Sequence, residues 1–122
     1  DMAVPDKGFD EMFHAYYDVL GSCGMDNLVF GHIGENHLHV NILPKTEEEV
    51  IKAKAIYLDL VKRAVELGGT PSAEHGIGKL KHVFLKEMVG QAGLDEMVRV
   101  KKVLDPACIL GRGNVFPQEL LG

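Results

Sequence analysis

The sequence predicts an α+β domain, a small antiparallel sheet covered on one face by helices. Three observations lead there. Residues 28–33 and His37–Leu43 alternate as two short strands around the turn-forming Gly34-Glu35-Asn36. Residues 46–67 carry the clearest amphipathic helix in the chain, with cap signals at both ends. Helical spacing recurs on either side, and a few antiparallel strands set among helices is the pattern of this class.

Residues 1–5 are short and end in Pro5, as an edge strand entering the domain does. Phe9, Met12, Phe13, Tyr16, Tyr17, Val19 and Leu20 recur at helical spacing, and Gly21 and Gly24 stop that helix. Their aromatic stripe reads as core rather than as a cofactor contact. In the second strand Leu38, Val40 and Ile42 share one face, while His37, His39 and Asn41 share the other.

Two registers are open for this hairpin. If Glu35-Asn36 is a two-residue loop, His32 stands opposite His39, about 4.5–5.5 Å apart at Cβ, where two imidazoles can share one metal ion. Glu35 suits the required positive φ poorly. If Gly34 opens the turn instead, His32 pairs with His37, which still leaves a two-histidine face.

Thr46 with Glu49 three residues on is a capping box, and Glu47, Glu48 and Glu49 suit the positive end of a helix. Val50, Ala53, Tyr57, Leu60, Ala64 and Leu67 form its apolar stripe, and Gly68-Gly69 ends it. Residues 70–72 read as briefly extended, and 74–78 as a glycine-bounded loop. Residues 80–89 and 94–104 read as two further helices, the second closed by Asp105-Pro106. Leu94, Met97, Val98, Lys101 and Leu104 lie on one side of it. Gly111-Arg112-Gly113-Asn114 is a loop before a short tail. Repeats, low-complexity tracts and linkers are absent from the pattern.

With 122 residues, 46% hydrophobic and 25% charged, the composition is that of one globular domain. A formal charge of −5 and a pI near 5.6 leave no basic stripe for nucleic acid. No apolar run approaches the roughly 18 residues of a membrane span. Cys23 and Cys108 stand far apart in sequence, outside any C-x-x-C pair, so they read as reduced thiols in a cytoplasmic setting. Peripheral association with a membrane stays open.

Two imidazoles and a carboxylate, His32, His39 and Glu74, make a common catalytic zinc set with a position left open, and Mn²⁺ or Fe²⁺ accept the same donors. Spacing alone does not bring Glu74 to the strands; the plain alternative is a surface histidine pair and a solvated glutamate. His75 adjoins Glu74 in the glycine-rich loop, and imidazole is suited to proton abstraction near neutral pH. Asn41, on the histidine face, is placed to hydrogen-bond a substrate. Gly76 and Gly78 let backbone approach a ligand, or are simply turn glycines.

Three blocks carry a family resemblance. Gly31-His32-Ile33-Gly34-Glu35-Asn36-His37-Leu38-His39 resembles the G-H-x-G-D-G-N-L-H segment of the FAD-linked oxidase C-terminal domain. Gly68-Gly69-Thr70-Pro71-Ser72-Ala73-Glu74-His75-Gly76-Ile77-Gly78-Lys79 is similar to its G-G-T-x-S-G-E-H-G-I-G-x-x-K, the most specific of the three. The run from Lys101 to Leu110 resembles K-x-x-L-D-P-x-x-I-L. The family includes D-lactate dehydrogenases, D-2-hydroxyglutarate dehydrogenases and the flavin subunit of glycolate oxidase.

The resemblance implies a ferredoxin-like cap domain whose sheet faces the flavin, spanning residues 1–122, with the flavin-binding domain upstream and outside this chain. It implies oxidation of a small D-2-hydroxy acid to the 2-oxo acid by hydride transfer to FAD, bound mainly by that other domain. His32, His39 and Glu74 would hold a divalent metal (Zn, Mn or Fe). His75 would be the base, and Gly76 and Gly78 would lie at the cofactor. An iron–sulfur subunit is the implied electron-transfer partner. Alone, the segment would be inactive, since no G-x-G-x-x-G opens a helix after a strand.

Two departures stand out. His37 replaces the family's Asn and reads as an exposed bystander or a third imidazole. Leu110-Gly111-Arg112-Gly113-Asn114 replaces L-N-P-G-K, which removes an expected flavin contact and leaves Arg112 as a loop arginine. His14 and His82 fall on helices and carry no functional expectation. The rival readings are a stand-alone metal-binding or docking module without redox activity, and a zinc hydrolase, which would lack the H-E-x-x-H helix.

Overall fold

In the computed structural model, described over residues 1–122, the chain runs β1 (Met2–Ala3), α1 (Asp6–Ser22), β2 (Asp26–His32), β3 (His37–Leu43), α2 (Glu47–Glu66) and α3 (His82–Leu104). Single 3-10 turns lie at Ile33–Glu35 and Gln118–Leu120. Three helices and one antiparallel sheet make the α+β class that the sequence predicts. The chain forms two compact units, Asp1–His75 and Gly76–Gly122.

In the first unit the strands lie in the order β1-β3-β2, all antiparallel, and Thr70 forms a single antiparallel bridge to Ala3 on the free side of β1. Counting that bridge as a vestigial strand, the connectivity is β-α-β-β-α-β, the split β-α-β arrangement of ferredoxin-like folds. Helix α1 buries Met12, Tyr16 and Leu20 at four-residue spacing, one side of a helix, while Tyr17 beside them is exposed. Helix α2 buries Leu60, Val61 and Ala64; the first half of its predicted stripe is more open, with Val50 at the surface. Met2, Leu38 and Val40 supply the sheet's contribution to this interior.

The hairpin takes the second of the two registers. His32 pairs with His37, and Phe30, not His32, stands opposite His39. The reason is the supply of residues that tolerate positive φ. A two-residue turn of the common hairpin type needs two of them. Here Ile33–Glu35 closes as a 3-10 turn and only Asn36 enters the left-handed region, at φ 51°. Glu35 is spared. The Asn36 side chain then donates to Asp6 Oδ1 at 2.6 Å, tying the turn to the start of α1.

Both ends of α2 follow the sequence signals. The Thr46 hydroxyl accepts from the Glu49 amide at 3.1 Å, and Glu49 Oε2 accepts from the Lys45 amide at 2.6 Å. At the other end the Gly68 amide reaches Val65 O and the Gly69 amide reaches Ala64 O, the paired bonds of a Schellman cap with Gly68 at φ 82°. Thr46→Ala removes the acceptor at the first end, a loss of about 1 kcal/mol. The Glu49 amide is expected to exchange its hydrogen about fivefold faster in consequence; unchanged exchange would show that the Glu49–Lys45 bond alone holds the turn.

In the second unit α3 is interrupted at Gly90 (φ 67°, ψ −178°), so the two helical periodicities of the sequence are two helical stretches. Leu85, Leu94, Val98, Phe116 and Leu121 form the core of this unit. Leu104, placed on the same side as Leu94 by the pattern, is exposed. Asp105 closes α3: its carboxylate takes the Lys101 ammonium at 2.6 Å and the amides of Leu110 and Ile109. The Lys101 bond first, then these amides, hold the Asp105 carboxyl below the usual carboxylate range. The K-x-x-L-D-P block therefore builds a loop, which accounts for its pattern without any ligand.

Candidate active site and metal centre

Strand pairing places Ala3, His37 and His32 side by side on one face of the sheet, with His39 and Phe30 in the next row. The rings crowd together: centroids of His37 and His39 lie 4.5 Å apart, of His32 and His37 5.4 Å, and of His32 and His39 5.8 Å. Asn41 follows one position further along the same face and is exposed. Alternation along β3 thus delivers the imidazoles, and the observed register adds His32 to them.

The segment that completes the site arrives from the end of α2. After the Schellman cap, Gly69 passes so close to β1 that a Cβ there would sit 2.2 Å from Ala3 O and 2.8 Å from Ala64 O. Ala3 and Thr70 then exchange both backbone bonds, at 3.3 and 2.9 Å. Beyond Pro71 the chain wraps the Asp1 carboxylate, which accepts from the Ser72 hydroxyl at 2.9 Å and from the amides of Ala73, Glu74 and His75 at 3.3 Å each. Three consecutive N–H groups on one buried carboxylate form an anion nest, and it fixes the direction in which Glu74 and His75 point.

They point at the histidines. Glu74 Oε1 lies 3.2 Å from His39 Nε2, 3.8 Å from His32 Nε2 and 3.5 Å from His75 Nε2. The His75 ring stacks on His39 at 5.0 Å with an interplanar angle of 20°, and its Nδ1 is 3.4 Å from Asp1 Oδ2. Four of the residues marked by the sequence, His32, His39, Glu74 and His75, are therefore together. Gly76 and Gly78 open the second unit, both with left-handed backbone (φ 73° and 55°) and open space where a side chain would project.

His37 corrects an expectation, because it is not exposed. Its ring is 3% accessible, and Nε2 lies 2.9 Å from Asp1 Oδ1. Distance alone would make this a hydrogen bond, but the alignment fails, and Nε2 has no aligned partner although it is fully buried. Its burial comes from the Asp1 loop, which no local sequence pattern announces. Asp1 itself was missed for the same reason: its role depends on contacts more than 70 residues away.

Burial, chiefly, holds the His37 and His39 imidazoles below their ordinary titration range, with neighbouring imidazoles adding to the effect on both and Glu74 opposing it. A neutral imidazole is the form that ligates a metal. The ligand atoms of His32, His37, His39 and Glu74 all lie within 4.8 Å of one another, and Asp1, His39 and His75 form a second such set. Donor bonds of about 2.0–2.2 Å need only small side-chain shifts to close on one ion. The residues present fit a divalent metal: imidazole nitrogens, a half-exposed carboxylate, and one buried nitrogen that lacks an aligned partner. By contrast, a cavity of about 350 Å³ lined by Phe13, Tyr16, Tyr17 and Val29 lies on the helix side of the sheet and carries no comparable donor set.

Comparison with known proteins agrees with the blocks. Residues 1–115 match the family model described as FAD linked oxidases, C-terminal domain. The chain is 33% identical over 119 residues to D-lactate dehydrogenase [cytochrome] 1, mitochondrial, of Saccharomyces cerevisiae, covering 98% of this chain and 20% of that protein. It is 29% identical over 121 residues to glycolate oxidase subunit GlcD of Bacillus subtilis (98% and 26%), and 30% over 122 residues to D-lactate dehydrogenase [cytochrome], mitochondrial, of Arabidopsis thaliana (98% and 22%). The chain thus spans about a fifth to a quarter of the length of these relatives. No helix is long and apolar enough to cross a membrane.

Proposed function

Because this chain belongs to the FAD linked oxidases as their C-terminal domain, we propose that it forms the substrate-facing wall of an enzyme that oxidises a small D-2-hydroxy acid, such as D-lactate or glycolate, to the 2-oxo acid. The observation that carries the reading is the meeting of Glu74 with His32, His39 and His75 on one sheet face. FAD, the family's cofactor, would be held mainly by the flavin domain that precedes this segment in the family, and when bound would supply the acceptor for the substrate's C2 hydride. A divalent metal, when bound, supplies Lewis-acid polarisation of the substrate hydroxyl. His32, His39 and Glu74 are the residues that would hold it.

The chain's own residues do the rest. His75, half-exposed and stacked on buried His39, receives the hydroxyl proton, and the Asp1 nest keeps its ring in place through the 73–75 backbone. Asn41, exposed on the same strand face, hydrogen-bonds the substrate. Gly76 and Gly78 leave room for the cofactor's approach. Cys23 and Cys108 are free thiols, which suits a reducing, cytoplasmic setting. The GlcD relative is named as a subunit; a reduced flavin must pass its electrons to an acceptor, and an iron–sulfur subunit is the partner that the family resemblance implies.

The test is anaerobic mixing of the full-length flavoprotein with single 2-hydroxy acids. A D-enantiomer or glycolate should bleach the flavin absorbance while the L-enantiomer does not. The isolated 122-residue segment should show neither flavin absorbance nor turnover. A full-length protein whose flavin no 2-hydroxy acid reduces would overturn the reading.

A further inference from the structure

His37 is a side chain that the proposed chemistry does not use, and its surroundings are unusual. The ring is almost wholly buried on a sheet face that carries two other imidazoles, and the carboxylate nearest to it is already engaged. Asp1 accepts from the Ser72 hydroxyl and three backbone amides, and its Oδ1 lies off the line of a hydrogen bond to His37 Nε2. Leaving a buried ring nitrogen without an aligned partner forfeits its hydration with nothing in return. Native structures rarely leave such a nitrogen orphaned, and an ion is one of the recognised reasons when they do.

The direction of the ring supplies the candidate. The ligand atom of His37 falls in the same set as those of His32, His39 and Glu74. Its place in that set follows from the hairpin register: His32 pairs directly with His37, and His39 lies two residues further along the same face. Of the three imidazoles, His37 is the most deeply buried and thus the least able to exchange a ligand bond for water.

We infer that His37 is a third imidazole ligand, so that this chain offers one divalent ion four protein donors, His32, His37, His39 and Glu74. The inference deepens the metal reading of the preceding section and rests on it. Four protein donors fill a tetrahedral ion. An ion of the Mn²⁺ or Fe²⁺ kind, which takes five or six donors, keeps positions open with the same set. Without His37 the donors would be the two-imidazole, one-carboxylate set that leaves even zinc an open position.

X-ray absorption of the full-length enzyme loaded with one equivalent of Zn²⁺ or Mn²⁺ counts the imidazoles directly and needs no variant. Three are expected in the parent and two in His37→Asn, whose side chain keeps a hydrogen-bonding group beside Asp1. Competition with a chelator should show metal affinity about a hundredfold lower in His37→Asn, with flavin content unchanged. A parent that binds metal through two imidazoles, or a His37→Asn protein of undiminished affinity, would overturn the inference and leave the metal reading standing. A parent that takes up no metal would overturn both.

Discussion

His75→Gln in the full-length enzyme is expected to lower kcat by about 10²–10⁴-fold, the range for loss of a positioned general base. The argument is geometric. His75 and His32 are the half-exposed imidazoles of the cluster, and His32 is the one assigned to the metal; His37 and His39 are buried and depressed in pKa, so they are poor proton acceptors. His75 lies between two carboxylates, with Nδ1 3.4 Å from Asp1 Oδ2 and Nε2 3.5 Å from Glu74 Oε1, which hold the ring in one orientation. Glutamine preserves size and hydrogen bonding but accepts no proton at working pH. KM for the hydroxy acid and metal content should change little, because Glu74, His32 and His39 remain. A kcat within tenfold of the parent would move the base to another residue or to the flavin domain.

Gly69→Ala is expected to be the most damaging small substitution in the first unit. The new Cβ would meet Ala3 O at 2.2 Å and Ala64 O at 2.8 Å, both backbone atoms that no rotamer change can move. Overpacking against fixed atoms costs about 3 kcal/mol. The strain falls on the Ala3–Thr70 bridge, so those two amides should exchange about a hundredfold faster. Since residues 70–75 carry Glu74 and His75 onto the sheet, metal retention should drop with them although no ligand is altered. Gly34→Ala, with nothing within 4 Å of its Cβ position, is the matched control and should be tolerated. Normal exchange at Ala3 and Thr70 in Gly69→Ala would mean that β1 and the end of α2 can separate without cost.

Much of the fold is legible in local chemistry. Alternation marks β2 and β3, Thr46 and Glu49 mark one end of α2, Gly68 marks the other, and the reading of 80–89 and 94–104 as separate helices anticipates the break at Gly90. Such signals are short-range: a cap, a turn or a pleat involves residues within about four positions of one another. The hairpin register is the instructive exception. Both pairings satisfied the alternation of faces, and they differed only in whether Glu35 would have to adopt positive φ.

The site divides along the same line. The sequence by itself determined which chemical groups are available: paired imidazoles two residues apart on a strand, a Glu-His pair in a glycine-bounded loop, and the family to which those blocks belong. Only the tertiary structure decided that they meet. Glu74 and His75 reach the histidine face because Gly69 admits a close crossing over β1 and because the buried Asp1 carboxylate gathers three successive amides of the loop. His37 changes from surface residue to buried donor for that reason as well. These contacts join the first residue of the chain to its seventies, and no periodicity encodes a separation of that length.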